Sequence, residues 1–169
     1  MIWRRSVPEV LRPVKGRLLG HGSCADGRVV GVYRDFLALA GSDVDTERHD
    51  VRVYDWTEIA SARWEHTSQT VFISFIDSSV PALSLKLEQG KSEDVAPLIH
   101  ERVDSSFFWR HKCTLPSGAD AFFMIRSGRG SQLSIQALYG GVVSEEDADF
   151  IESMYARMRD LANIAEENS

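Results

Sequence analysis

The chain has 169 residues, of which 43% are hydrophobic and 26% charged, with a net charge of −6 and a pI near 5.4. A chain of this size builds a sizeable core without disulfide or metal staples. An acidic balance argues against broad binding to nucleic acid or to anionic membranes, and no apolar run of about 18 residues is present to cross a bilayer as a helix.

The opening MIWRRSVPEVLRPVKGR carries charge but no apolar centre, so it does not read as a secretory signal. Pro8, Pro13 and Gly16 predict an extended basic arm over residues 1–16, lying against the body through Trp3, Val7, Val10 and Leu11. Arg4, Arg5, Arg12, Lys15 and Arg17 face only Glu9 there. The other end is acidic, with Glu145, Glu146, Asp147, Asp149, Glu152, Asp160, Glu166 and Glu167. Both read first as solvated surfaces, and their opposite signs admit pairing between subunits.

From Arg17 the pattern turns to short strands. RLLGHGS, RVVGVYRD and FLALAG come first, with Arg34-Asp35 as a turn. GSDVDTERHD is a polar loop without the glycine and terminal glutamate of a calcium loop. VRVY follows, then SARWEH and TVFISFID joined through Thr67, Ser68 and Gln69. In TVFISFID both faces are apolar enough to be covered. ALSLKLE alternates, with Leu83, Leu85 and Leu87 on one side.

YDWTEIASARWE, residues 54–65, poses the main ambiguity. Trp56 and Trp64 are eight apart with Ile59, Ala60 and Arg63 between them, a spacing that suits a helical stripe. The flanking strands decide against a helix. Asp55 to Ile59 is expected to be a tight turn and Ala60 to His66 a strand, with Trp64 and Ala62 on one face. Whether Trp56 is covered or left exposed for a partner stays open.

SEDVAPLIHERVDSS shifts to helical period, with Val95, Leu98, Ile99 and Val103 on one face. With Asp94 as N-cap, Pro97 falls in the first turn, where its missing N–H has no partner to lose. Three strands follow, SFFWRHKCTL, AFFMIR and QLSIQALY, with turns at Pro116-Ser117-Gly118 and Ser127-Gly128-Arg129-Gly130. The last segment opens with Ser144 and Asp147 as a capping box. It places Ile151, Met154, Tyr155, Met158, Leu161, Ala162 and Ala165 at helical spacing. Hairpin-linked strands with segregated helices predict an α+β fold without the βαβ alternation of a dinucleotide fold.

VVGVYRDFLALAG, YDWTEIASARWE and TVFISFID together resemble the bacterial pleckstrin-homology-like (PH-like) domain superfamily, over residues 17–105. The whole chain resembles a class of uncharacterised actinobacterial proteins of this layout. The resemblance implies a half-open antiparallel barrel of about seven strands capped by a helix. Residues 106–169 would then be a three-stranded meander and C-terminal helix, a βββα extension packed on or continuing the first unit. It also implies a scaffold that binds lipids, peptides or proteins, not a reaction. Where phosphoinositide-binding members carry a basic loop, this chain has SCADGR, residues 23–28, which argues against headgroup binding.

Catalytic and metal motifs are weak. His21 and Cys24 form H-x-x-C, and His111 and Cys113 share a strand face with Phe107, Trp109 and Leu115. Neither pair has zinc-ligand spacing, so sheet packing is the expectation and no metal or cofactor is assigned. No local signature of a nucleophile surrounds either cysteine, and a disulfide between them is allowed but not demanded. His49, His66 and His100 are scattered, and SGRGSQ lacks the Walker lysine.

The expected function is therefore a non-enzymatic binding or protein-interaction module in the cytoplasm with reduced thiols, engaging a protein partner or itself. Its expected surface includes Trp3, Arg4, Arg5, Trp56, Arg110, Lys112 and Arg126. The alternative is a small-molecule-binding protein or enzyme with its cleft between the barrel and the extension, using Arg110, Lys112, Arg126 and Gln136.

Overall fold

The computed structural model describes residues 6–41, 50–90 and 94–168. Ten strands and two α-helices are present among them: β1 (Leu18–Ser23), β2 (Val29–Tyr33), β3 (Phe36–Ala40), β4 (Val51–Asp55), β5 (Ile59–Glu65), β6 (Thr70–Phe75), β7 (Leu83–Lys86), α1 (Val95–Ser105), β8 (Phe107–Thr114), β9 (Asp120–Ser127), β10 (Leu133–Tyr139) and α2 (Ala148–Glu167). The fold is α+β with three antiparallel sheets, ordered β1-β2-β3-β4, β5-β6-β7 and β10-β9-β8. Contacts divide the chain into two compact units, Met1–Asp104 and Ser105–Ser169.

In the first unit every residue of β3 is buried, because its sheet is covered on both faces. One face presents Val30, Val32, Leu37 and Leu39. The other carries Tyr33, Phe36, Ala38 and Ala40, against which Leu11 packs from a 3-10 turn at Glu9–Leu11. The arm is thus held by Leu11, with Val10 and Val14 beside it. Val7 is 40% exposed and does not anchor it, and Trp3 lies outside the described residues. Leu11 comes close because position 31 is glycine: a Cβ there would meet Leu11 Cδ1 at 3.0 Å and Tyr33 Cε2 at 2.9 Å.

The second sheet buries Ile59, Val71, Ile73, Phe75, Leu85 and Leu87. Ser84 and Lys86 of β7 stay exposed, as the alternation demands. The outer face of β6, Phe72, Ser74 and Ile76, is only half-buried, so the expected double coverage is partial. A bridge, Cys24 to Leu87, links the end of β1 to the end of β7. The bonds Ala25 N–H to the Lys86 carbonyl (2.8 Å) and Glu88 N–H to the Ser23 carbonyl (2.9 Å) flank it. This is a local junction, and the two sheets do not close into one barrel ladder. Helix α1 starts as expected, with the Leu98 N–H on the Asp94 carbonyl at 3.1 Å. Val95, Ala96, Ile99 and Val103 are buried, and Leu98 lies on β1 where Gly20 has no side chain to obstruct it.

In the second unit the three-stranded sheet packs one face on α2. Leu115, Ala121, Phe123 and Ile125 meet Met154, Met158 and Ala162, with Trp109, Cys113, Ile151, Tyr155 and Leu161 around them. Ser144 and Asp147 form the expected capping box. Asp147 does more than cap. It is fully buried and also accepts from the Ser117 N–H (2.9 Å) and Oγ (2.7 Å), tying the β8–β9 turn to the head of α2.

Candidate functional site

Trp56 is 4% exposed. Asp55 caps a 3-10 turn at Trp56–Glu58, its side chain accepting from Thr57 N–H while Glu58 accepts from Asp55 N–H. The turn drives the indole inward, where Nε1 donates to the Tyr33 and Arg34 carbonyls at 3.2 and 3.1 Å. Trp56 is core, covered by the protein itself, and does not belong to the expected interaction surface. Trp3, Arg4 and Arg5 lie outside the described residues.

Arg110, Lys112, Arg126 and Gln136 do come together, on the face of the three-stranded sheet opposite α2. Strand registers set that face in rows: Lys112–Phe122–Leu138, Arg110–Met124–Gln136, and Phe107–Arg126–Ser134. Phe107 was expected on the Trp109 and His111 face. A register shift between Phe107 and Trp109 moves it to this one. There its ring lies under two guanidinium groups, Arg126 at 4.1 Å and Arg110 at 5.1 Å. Arg126 is fully buried, and its Nε and Nη2 donate to Ser106 Oγ at 3.0 and 2.6 Å. Buried against Phe107 and bonded to Ser106, it structures the face instead of presenting a charge to a partner.

Lys112 and Arg110 are exposed. Lys112 Nζ lies 5.4 Å above the Phe122 ring, in a groove of about 530 Å³ at the turn end of the sheet. Phe122 and Leu138 line it, and Thr114 donates to Asp120 at 3.4 Å at its end. Phe122, Leu138 and Asp120 are the residues missed from sequence. The signal was available: the Leu115–Ala119 bond closes a three-residue loop, and counting outward from it sets Lys112 opposite Phe122. Tyr139 beside the groove has its hydroxyl pushed up to about 12, by burial and then by Tyr155.

Two cavities lie among the described residues of the first unit. One, about 550 Å³, is lined by Trp64, His66, Gln69, Leu87, Glu88, Ala96 and other residues. Trp64 Nε1 donates to His66 Nδ1 at 2.9 Å, which fixes the indole. The other, about 360 Å³, holds Asp26, Arg28, Arg52 and Tyr54. Within it Arg28 donates to Asp26 Oδ2 (2.7 Å) and to the Ser84 carbonyl (2.8 Å), so its guanidinium is engaged inside the protein. The Arg28 bond holds the Asp26 carboxyl below its ordinary pKa.

Among the described residues no three His, Cys, Asp or Glu side chains converge as a metal site. His111 stacks on Trp109 at 5.9 Å and is exposed, whereas Cys113 faces the α2 core. Both cysteines are free thiols. Burial, reinforced by Asp26, pushes the Cys24 thiol up to about 11, and burial raises Cys113 too. A thiol raised this way is a poor nucleophile at neutral pH. No helix among the described residues is long and apolar enough to cross a membrane.

No family model, curated protein or solved structure matches the chain.

Proposed function

We propose that the protein is a non-enzymatic protein-interaction module, with residues 17–105 as a PH-like scaffold and the βββα extension as its docking element. Supporting the scaffold are four antiparallel strands followed by three, a bridge between β1 and β7, and a helix directly after. Supporting a binding role over catalysis are thiols shifted away from reactivity and Asp26 and Asp147 carboxylates held ionised by their donors. The free thiols fit a reducing, cytoplasmic setting.

The observation that carries the reading is the groove over Phe122 and Leu138, with the Lys112 ammonium at its edge. An apolar floor beside an exposed cation suits a partner segment with apolar and acidic side chains. A photo-reactive residue installed in living cells at position 114, exposed on the groove's lining, tests it and leaves Lys112 in place. A discrete adduct to a protein chain is expected. Uniform labelling of solvent or lipid, with no protein adduct, overturns the reading.

A second reading, small-molecule binding, is favoured by the Trp64 and His66 cavity, whose volume lies in the range that takes small ligands. A ligand there quenches or shifts Trp64 fluorescence, and loss of that response in His66→Ala marks the site.

A further inference from the structure

The segment that follows β10 is apolar at its start and acidic at its end. Val142 is 89% exposed and Val143 39%, and Tyr139 just before them is 37% exposed. Glu145 and Glu146 come next and are exposed, Glu146 accepting from Ser144 Oγ at 3.3 Å. This order mirrors the groove, where Phe122 and Leu138 form the apolar floor, with Lys112 at the edge and Arg110 in the next row. Asp120, at the turn end, disfavours a carboxylate there and so orients the acidic end toward Lys112.

The segment does not fill its own groove. Gly140 N–H is bonded to the Asp120 carbonyl at 2.8 Å, which fixes where the segment leaves the sheet. Asp147, bonded to Ser117, fixes its far end at the head of α2, which packs on the opposite face. The exposure of Val142 shows the result.

We propose that residues 142–146 of one copy seat in the Lys112 groove of a second copy, making a two-fold dimer. Groove and segment lie at the same end of the sheet, since Gly140 borders one and begins the other. A two-fold axis passing at that end makes the two segment-to-groove contacts equivalent, as an isologous interface requires. The inference rests on the protein-interaction reading and names the partner.

A charge swap tests it by sedimentation velocity on the full chain, with folding checked by far-UV circular dichroism. The wild type shows a concentration-dependent dimer. Lys112→Glu alone, and Glu145→Lys with Glu146→Lys alone, each weaken it at least about tenfold, the effect of roughly 1.4 kcal/mol. An equimolar mixture of the two variants restores dimers, because both contacts are again complementary. Val142→Asp, at an exposed position that folding does not need, also yields monomers. A monomeric wild type at every concentration, a dimer indifferent to these changes, or a mixture that stays monomeric overturns the proposal. The position-114 cross-link separates this failure from that of the parent reading. An adduct to a different protein leaves the interaction module standing and removes the dimer.

Discussion

The indole N–H of Trp56 is shared by two successive carbonyls, those of Tyr33 at 3.2 Å and Arg34 at 3.1 Å. The β4–β5 corner is thereby fastened to the β2–β3 turn. Trp56→Phe keeps most of the apolar volume but deprives both carbonyls of their donor, and is expected to cost about 1–3 kcal/mol. Trp56→Ala also leaves a cavity and is expected to cost about 3–5 kcal/mol. Urea unfolding followed by circular dichroism checks both. A Trp56→Phe variant as stable as the wild type would show that the hydrogen bonds contribute nothing.

Asp147 makes a pH-dependent contribution to the stability of the second unit. Removal from water alone would raise its pKa, but the Ser144 and Ser117 donors outweigh this and hold the carboxyl below its ordinary value. A depressed native pKa stabilises fully above the unfolded value, near 3.9, and the contribution disappears as pH falls through the native one. The difference in Tm between wild type and Asp147→Asn is therefore expected to be largest above about pH 5 and to shrink in acid. A pH-independent difference would assign the effect to shape instead of charge. Ser117→Ala removes one donor of several and gives a smaller change in the same direction.

Gly31 lets Leu11 reach the outer face of the first sheet. Gly31→Val places branched carbons where Leu11 and Tyr33 already stand, at an expected cost of about 1–3 kcal/mol. The arm should lift before the sheet fails, so brief trypsin treatment cuts faster at Lys15 and Arg17. Unchanged cleavage in a folded variant would mean that Leu11 does not hold the arm.

Cys24 is 2% exposed with its thiol pushed up to about 11. Alkylation at pH 7.5 followed by mass spectrometry is expected to leave Cys24 unmodified in the native protein and to modify it on unfolding. Native labelling of Cys24 ahead of Cys113, which is half-buried on an edge strand, would contradict the burial argument.

All ten strands and both helices were legible in the sequence because their signals are local. Alternation in ALSLKLE, the run VRVY and the stripe from Met154 to Ala162 each record which neighbours a residue's own element places beside it. The turn at Asp55–Glu58 was legible too, since Asp and Glu at that spacing satisfy one another's backbone donors. Arg110, Lys112, Arg126 and Gln136 were legible as polar residues grouped on strands, but their roles were not.

Those roles depend on distance along the chain. Trp56 is buried because carbonyls 22 and 23 residues away accept from it, and no pattern within its own segment records that. Arg126 is silenced and Lys112 exposed although both project from one sheet face: the first is buried against the Phe107 ring and Ser106 Oγ, and the second stands on an edge strand. Phe107 changes face through one irregularity in the β8–β9 pairing, which alternation alone misplaces. By itself the sequence determined which residues form each element and which side of it is apolar, since both follow from backbone geometry within a few residues. Only the tertiary structure decided which polar and aromatic groups meet, and so where a partner can bind, since burial and pairing are set by segments far apart in the chain.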